Sequence, residues 1–477
     1  MGGTLELKGK RLLVIGLART GVAVAEFAAS RGAVVTATDA RPLAELRETV
    51  DALEAIGVRS ELGAASPELL KGQDLVVPSP GVPANAPLLE AARGAQIPVW
   101  SEIELAYRFL RGTLIGITGS NGKTTTSTLV EHILCHAGRE TILAGNIGTP
   151  LIARVADAGD ETVIVAELSS FQLELIDSFR PRVALFLNLT PDHLDRHATF
   201  AAYGAAKARI FENQTANDIA ILNADDPASA PYTPTEPHVY RFSRTGEVAP
   251  GVFVRGDQIL FRDPQGKEEV LLAVSDIALP GPHNLENVLA AALATRLTGV
   301  PAAQIAEAVR SFKGVEHRIE FVAEIAGVRY YNDSKATNVD ATLKALGSFP
   351  GRVLVILGGK DKDSDYRLLR DALREKAVLA LLIGAAAEKI ASQIAGSVAI
   401  AREGTLDRAV AAAAQSARPG NIVLLAPACA SFDQFQNYEH RGRVFKQLVR
   451  ELQGRSAIAA ASGESAVQGE QGHAKAS

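Results

Sequence analysis

One stretch constrains this chain more than any other: Gly116-Ile117-Thr118-Gly119-Ser120-Asn121-Gly122-Lys123-Thr124-Thr125-Thr126. The apolar run Thr113–Ile117 leads into it and reads as a buried strand. Thr124–His136 follows, with Leu129, Ile133 and Leu134 at helical spacing. Strand, glycine-rich turn, Lys-Thr and helix make a phosphate-binding loop. Gly119 and Gly122 let backbone N–H groups approach phosphate oxygens, and the dipole of the following helix favours an anion there. Lys123 offers a point charge to the terminal phosphates, and the Thr124 hydroxyl offers a ligand to Mg²⁺. The common spacing wants a glycine where Ile117 stands, so this is a shorter loop starting at Gly119. A glycine-rich turn with an exposed lysine is the plain alternative, and the strand–helix context weighs against it.

A chain of 477 residues has room for about three domains. With 47% apolar and 22% charged residues it is an ordinary globular composition. The net charge of −5 gives no reason to expect nucleic acid or an anionic membrane as partner. Cys135 and Cys429 lie far apart, which suits a reducing compartment and argues against a disulfide framework or a cysteine-based zinc site. Met1–Lys10 lacks an apolar signal core, and the apolar run Ala377–Ala387 is too short to span a bilayer. The expectation is a cytoplasmic protein; a monomer is compatible with it.

Arg11–Gly16 reads as a strand, Gly16–Gly21 opens an amphipathic helix to about Arg31, and a second strand, Val34–Thr38, ends at Asp39. This is a βαβ unit with a dinucleotide-type turn whose middle glycine is Ala18. A nicotinamide-dependent dehydrogenase would carry such a turn. So would any Rossmann-like domain that binds a diphosphate, and tight packing alone also accounts for it. Asp74–Val77 leads into Pro78-Ser79-Pro80-Gly81-Val82-Pro83, either a ligand loop at a strand's carboxyl end or a plain connection. Val99–Phe109 bridges to the next domain, with a boundary near Gly112.

Strands and helices then alternate. Thr141–Leu143 precedes Gly145-Asn146-Ile147-Gly148; Val163–Ala166 ends at Glu167; Val183–Leu187 ends at Asn188–Asp195. Glu167 and His193 therefore sit beyond strand ends beside the phosphate loop. A carboxylate and an imidazole there suit Mg²⁺, while a helix-entry charge and a capping residue are the simpler roles. Ala201–Asn213 is helical, and Lys207 in its middle is by default a solvated surface charge. Arg241–Val274 has the turn residues of antiparallel hairpins. Pro280–Asn284 begins a long Ala/Leu helix through Leu297. A third α/β block starts near Glu316. Polar residues again gather after its strands, in Asn332–Asn338, Gly358–Lys362 and Pro427–Phe435. The composition of 455–477 predicts a disordered tail.

With these stretches in view, the chain resembles the Mur ligases of peptidoglycan synthesis from about Lys8 to Leu452. The loop Thr118–Thr124 carries the family likeness. Glu167–Glu174, Asn332–Asn338 and Ser431–Phe435 are similar to the branch that adds D-glutamate. The resemblance implies an α/β protein of three domains. Residues 1–112 would form a Rossmann-like domain for the uridine nucleotide. Residues 113–316 would form a P-loop ATPase-type domain with a small antiparallel sheet. Residues 317–454 would form a Rossmann-like domain for the incoming amino acid. It also implies ATP-dependent ligation of D-glutamate to UDP-N-acetylmuramoyl-L-alanine through an acyl phosphate and a tetrahedral intermediate.

Site residues carry over by position. Gly119, Ser120, Asn121, Gly122, Lys123, Thr124 and Thr125 would hold the ATP phosphates, with Asn284 and Asn287 near the adenine and Arg318, Asp333 and Lys335 near phosphates and ribose. Thr124, Glu167, His193 and Lys207 would serve two Mg²⁺ ions, Lys207 as a carbamylated lysine; Lys123, His193 and Lys207 would be catalytic. Arg19, Thr20, Asp39, Arg41, Gly81 and Asn146 would bind the uridine substrate. Thr337, Lys362, Ser431 and Tyr438 would bind D-glutamate, with Tyr438 where the family has Phe and Lys360 as a nearby further cation. A ligase acting on folate shares the loop and lysine logic, and the uridine-type first domain disfavours it. Ligand groups on three domains have to meet, which predicts an open resting form.

Overall fold

A computed structural model describes residues 5–63, 66–146, 148–361 and 363–470. It contains three sheets. The chain divides into two compact units: one spans 1–278 with 283–312, the other 279–282 with 313–477.

The first unit holds two sheets. The smaller has the order Arg59–Leu62, Val34–Asp39, Arg11–Ile15, Leu75–Pro78, all parallel. Leu12, Leu13 and Val14 are fully buried, because helices cover both faces of a parallel sheet and its strands must be apolar on both sides. The larger sheet has nine strands. Thr113–Thr118 lies third from one edge, between Val163–Glu167 and Val183–Phe186. The helix Lys123–His136 carries the chain over Val163–Glu167 to the edge strand Thr141–Gly145, while the chain later returns to the other side of Thr113–Thr118. That reversal of direction opens a crevice at the carboxyl ends, where the phosphate loop lies.

The expected hairpins are only part of the pattern. His238–Ser243 pairs in parallel with Ile219–Asn223 and Gly251–Arg255; only Gly251–Arg255, Gln258–Arg262 and Glu268–Ala273 pair antiparallel. These three do not form a separate sheet but extend the nine-stranded one, which buries Val252, Phe253 and Ile259.

Buried acids join the two sheets of this unit. The fully buried Glu104 accepts from the backbone N–H of Asp177, Ser178 and Phe179, from Ser178 Oγ and from Arg108 Nε. Each such bond to a carboxylate contributes more than a neutral one, and together they satisfy the acceptor oxygens that burial takes out of water.

The second unit is a six-stranded sheet in the order Glu320–Ile325, Val328–Asn332, Ile422–Leu425, Val353–Gly358, Ala377–Ile383, Ala399–Gly404. Only the first pair is antiparallel. Its last helix spans Tyr438–Glu470 and so enters the segment whose composition predicts disorder. Alanines such as Ala457, Ala459 and Ala460 carry the lowest helix cost of any residue. Residues 471–477 lie outside the described ones.

Candidate active site

The phosphate loop is braced from the neighbouring strand end. Asn121 N–H donates to Asn188 Oδ1 (2.9 Å), Asn188 Nδ2 donates to the Asn121 carbonyl (3.1 Å), and Ser120 N–H donates to the Asn188 carbonyl (2.9 Å). Ser120 Oγ sits within hydrogen-bonding distance of Thr190 and Tyr203. Gly122 caps the helix at φ 82°, and a Cβ there would stand 2.2 Å from Asn287 Oδ1, so only glycine fits. Thr124 and Thr125 are buried in the first helical turn, where backbone N–H groups have no intrahelical acceptor. Asn284 and Asn287, expected near the adenine, lie buried together, with Asn287 Nδ2 donating to Asn284 Oδ1 at 3.3 Å and Thr126 Oγ1 meeting Asn287 Oδ1 at 3.3 Å.

Two lysines converge on one carbonyl. Lys123 Nζ donates to Gly119 O at 2.7 Å and to Ser120 O at 3.0 Å, and Lys207 Nζ donates to the same Gly119 O at 2.8 Å. Lys207 is 1% exposed, so it is no surface charge. Its helix, Phe200–Ala208, packs against the loop and places Tyr203 one turn before it, with Nζ 4.6 Å from the ring centroid. Burial holds the Lys207 amine well below the ordinary lysine range, and the Lys123 charge adds to this; Asp192 and Glu167 oppose it. Two ammonium groups on one carbonyl would repel each other, and a lowered Lys207 pKa relieves that repulsion.

Glu167 ends its strand 2% exposed. Oε1 accepts from Asn146 Nδ2 at 2.7 Å, while the buried Oε2 has no hydrogen-bond partner among the described residues. An uncompensated buried carboxylate oxygen is costly, and a divalent cation beside it would remove the cost, so the residues present fit Mg²⁺. His193 is more open. Its backbone has φ 53°, its side chain is 48% exposed, and its ring meets Phe171 edge-on at 4.9 Å.

Two residues not singled out in the sequence belong to this corner. His197, 8% exposed, stacks on Phe171 and contacts Ser170 Oγ at 3.0 Å and Glu174 at 3.3 Å. Arg196 donates to the carbonyls of Gly81 (3.3 Å) and Val82 (2.8 Å) and pairs with Glu174 at 3.3 Å, tying the Pro/Gly loop of the first sheet to the segment after Glu167. The run Asp192–His197 is dense in polar residues, which was the only local signal for either.

All six residues expected at the uridine substrate line one cavity of about 870 Å³: Arg19, Thr20, Asp39, Arg41, Gly81 and Asn146. It opens at the carboxyl ends of the first sheet and extends to Asn146, the residue bonded to Glu167. Asp39 accepts from Leu17 N–H at 2.6 Å and takes both Arg41 Nε and Nη2, at 3.0 and 2.8 Å. That Arg41 fork holds the Asp39 carboxyl down at about 2.

The second unit gathers its own polar cluster at the strand carboxyl ends. Lys335 Nζ lies 4.0 Å from the Tyr438 ring centroid, and Ser334 Oγ donates to the Tyr438 carbonyl at 2.8 Å. Arg441, 1% exposed, donates Nε to Ser334 Oγ at 3.0 Å and Nη1 to the Cys429 carbonyl at 3.2 Å, joining the two loops that carry Thr337 and the buried Ser431. Thr337 is half-buried beside them. Lys362 lies outside the described residues; Lys360 N–H is bonded to the Ala430 carbonyl at 2.9 Å.

Asp333 is buried, and desolvation raises its carboxyl to about 7 against the favourable charge of Arg318. A carboxyl whose folded pKa exceeds its unfolded one weakens folding as pH climbs from 3.8 to about 7, and no further. Asp333→Asn should therefore raise the thermal midpoint at pH 8, by up to about 4 kcal/mol of stability, and leave it unchanged near pH 4. Equal midpoints for both proteins at both pH values would contradict this.

A nucleotide-type loop, a Rossmann-like cavity and a third, mainly parallel sheet define a class, and family comparison agrees. The family described as Mur ligase MurD-like, N-terminal domain, matches residues 10–101; Mur ligase middle domain matches 117–295; and Mur ligase, glutamate ligase domain, matches 317–429. The chain belongs to the Mur ligase family. Relatives from Koribacter versatilis (strain Ellin345) and Solibacter usitatus (strain Ellin6076) are each 53% identical over 94% of this chain and 99% of their own length. Both bear the name UDP-N-acetylmuramoylalanine--D-glutamate ligase. Among solved structures, MurF ligase from Thermotoga maritima in complex with ADP has a TM-score of 0.57 at 18% identity, covering 94% of this chain and 96% of that one. MurC from the same organism has a TM-score of 0.56 at 18% identity, covering 92% and 99%. These two share the fold.

Proposed function

We propose that this chain joins D-glutamate to the L-alanyl carboxylate of UDP-N-acetylmuramoyl-L-alanine, converting ATP to ADP and phosphate, as a cytoplasmic step of peptidoglycan precursor synthesis. One observation supports the reading most: Asn146 lines the 870 Å³ cavity and also bonds Glu167, so the substrate cavity ends at the phosphate loop's cationic corner. In this reading residues 1–112 bind the uridine substrate, 113–316 ATP and 317–454 D-glutamate. The named relatives favour it over a folate ligase, and family membership sets aside the dehydrogenase.

Two anions have to approach each other, so cations must neutralise their repulsion. Lys123 swings from the loop carbonyls to the γ-phosphate. The neutral Lys207 amine adds to carbon dioxide, forming an N–C bond and losing a proton, and presents a carboxylate. Thr124, Glu167, His193 and that carboxylate would hold Mg²⁺, which when bound supplies charge neutralisation between substrate carboxylate and γ-phosphate. A carboxylate oxygen attacks the γ-phosphorus and the bond to ADP breaks. The neutral amine of D-glutamate, held by Thr337, Lys362, Ser431 and Tyr438, then attacks the acyl carbon. The tetrahedral intermediate collapses with loss of phosphate, and the amine proton departs to solvent. Asn284, Asn287, Arg318, Asp333 and Lys335 orient the nucleotide.

The purified protein should release phosphate from ATP only when both UDP-N-acetylmuramoyl-L-alanine and D-glutamate are present. Equal phosphate release with D-glutamate omitted, or with L-glutamate in its place, would overturn the assignment.

A further inference from the structure

At the other end of the central sheet lies a cavity of about 730 Å³ that the proposed reaction does not use. It is lined at the amino-terminal edges of neighbouring parallel strands, by Thr113, Arg182 and Asp218, which precede or begin Thr113–Thr118, Val183–Phe186 and Ile219–Asn223. The phosphate loop is at the carboxyl end of that same six-residue strand, roughly 20 Å away at the usual rise.

Arginine dominates its wall: Arg31, Arg108, Arg111, Arg180 and Arg182, against the single carboxylate of Asp218. Arg180 and Arg182 share that carboxylate at 3.6 and 3.4 Å. Arg31 rests over the Phe27 and Phe109 rings at 5.1 and 5.5 Å. Arg111 reaches Asp160 only at 3.8 Å, with both side chains mostly exposed. Arg108 is committed to Glu104 and Asp177. Guanidinium groups thus outnumber the acids that face them inside a concave site. Converging forks of this kind match phosphate oxygens, and a concave wall of one sign concentrates counter-ions.

We infer that this cavity is a second anion site, distinct from the ATP loop, that binds a small multivalent anion of the diphosphate class. The chain carries its own reporter. Trp100 is the only tryptophan, and the Arg108 guanidinium lies 3.8 Å from its ring centroid. An anion competing with the exposed Asp177 for Arg108 would shift that guanidinium and change the emission.

The probe is inorganic pyrophosphate, titrated into the full chain in magnesium-free buffer while Trp100 emission is followed. A saturable change is expected. Its midpoint should rise at least tenfold in the Arg111→Ala/Arg182→Ala protein and stay within twofold in Lys123→Ala. Turnover of the arginine variant without pyrophosphate should equal that of the unmodified chain. If the double variant does not fold, Arg182→Ala alone carries the same comparison. The inference is overturned by the absence of a saturable change, by an equal change with sodium chloride at matched ionic strength, or by a midpoint that follows Lys123 and ignores the arginines.

Discussion

Lys123→Ala is expected to lower kcat by about 10²–10³-fold, the usual loss when a charge partner of the transition state is removed. The lysine rests on the carbonyls of Gly119 and Ser120, so its charge is held at the loop before any phosphate arrives. The loop should keep its shape without it, because Asn188 and Thr190 brace it independently. The KM for the uridine substrate should therefore change little, since the cavity proposed to hold it is lined by other residues. A kcat within twofold of the unmodified chain would contradict the role.

Lys207→Ala should cost at least as much, for a different reason. Burial and the nearby Lys123 charge lower the Lys207 amine well below the ordinary lysine range, which favours the neutral form that adds carbon dioxide. With ¹³C-bicarbonate, the unmodified chain should give a carbamate carbon signal that Lys207→Arg lacks, although arginine keeps the length and charge. Loss of carbon dioxide from the buffer should slow turnover reversibly. A Lys207→Ala protein with full activity, or the same carbon signal in Lys207→Arg, would rule out the carbamate.

The phosphate loop was legible because its determinants are local: glycines at φ-demanding positions, Lys-Thr, and an apolar strand and helix on either side. Residues at strand carboxyl ends were legible for the same reason, and the six residues expected at the uridine substrate line one cavity. Pairing between distant segments is not local. His238–Ser243 looks like its hairpin-forming successors, yet it joins Ile219–Asn223 in parallel. Lys207 read as a surface charge by residue type, although its helix, Phe-Ala-Ala-Tyr-Gly-Ala-Ala-Lys-Ala, offers no polar face that would keep it in water. Its burial follows from small residues letting that helix pack closely. Arg196 and Arg441 were silent, because what they do depends on carbonyls far away in the chain.

Oxygen transfer tests the chemistry most directly. The uridine substrate, labelled with ¹⁸O in both oxygens of its L-alanyl carboxylate, is turned over with ATP and D-glutamate, and the released phosphate is weighed by mass spectrometry. Activation of the carboxylate by phosphoryl transfer predicts one ¹⁸O in each phosphate and one retained in the new amide. Phosphate free of ¹⁸O would mean that the carboxylate never bonded to phosphorus.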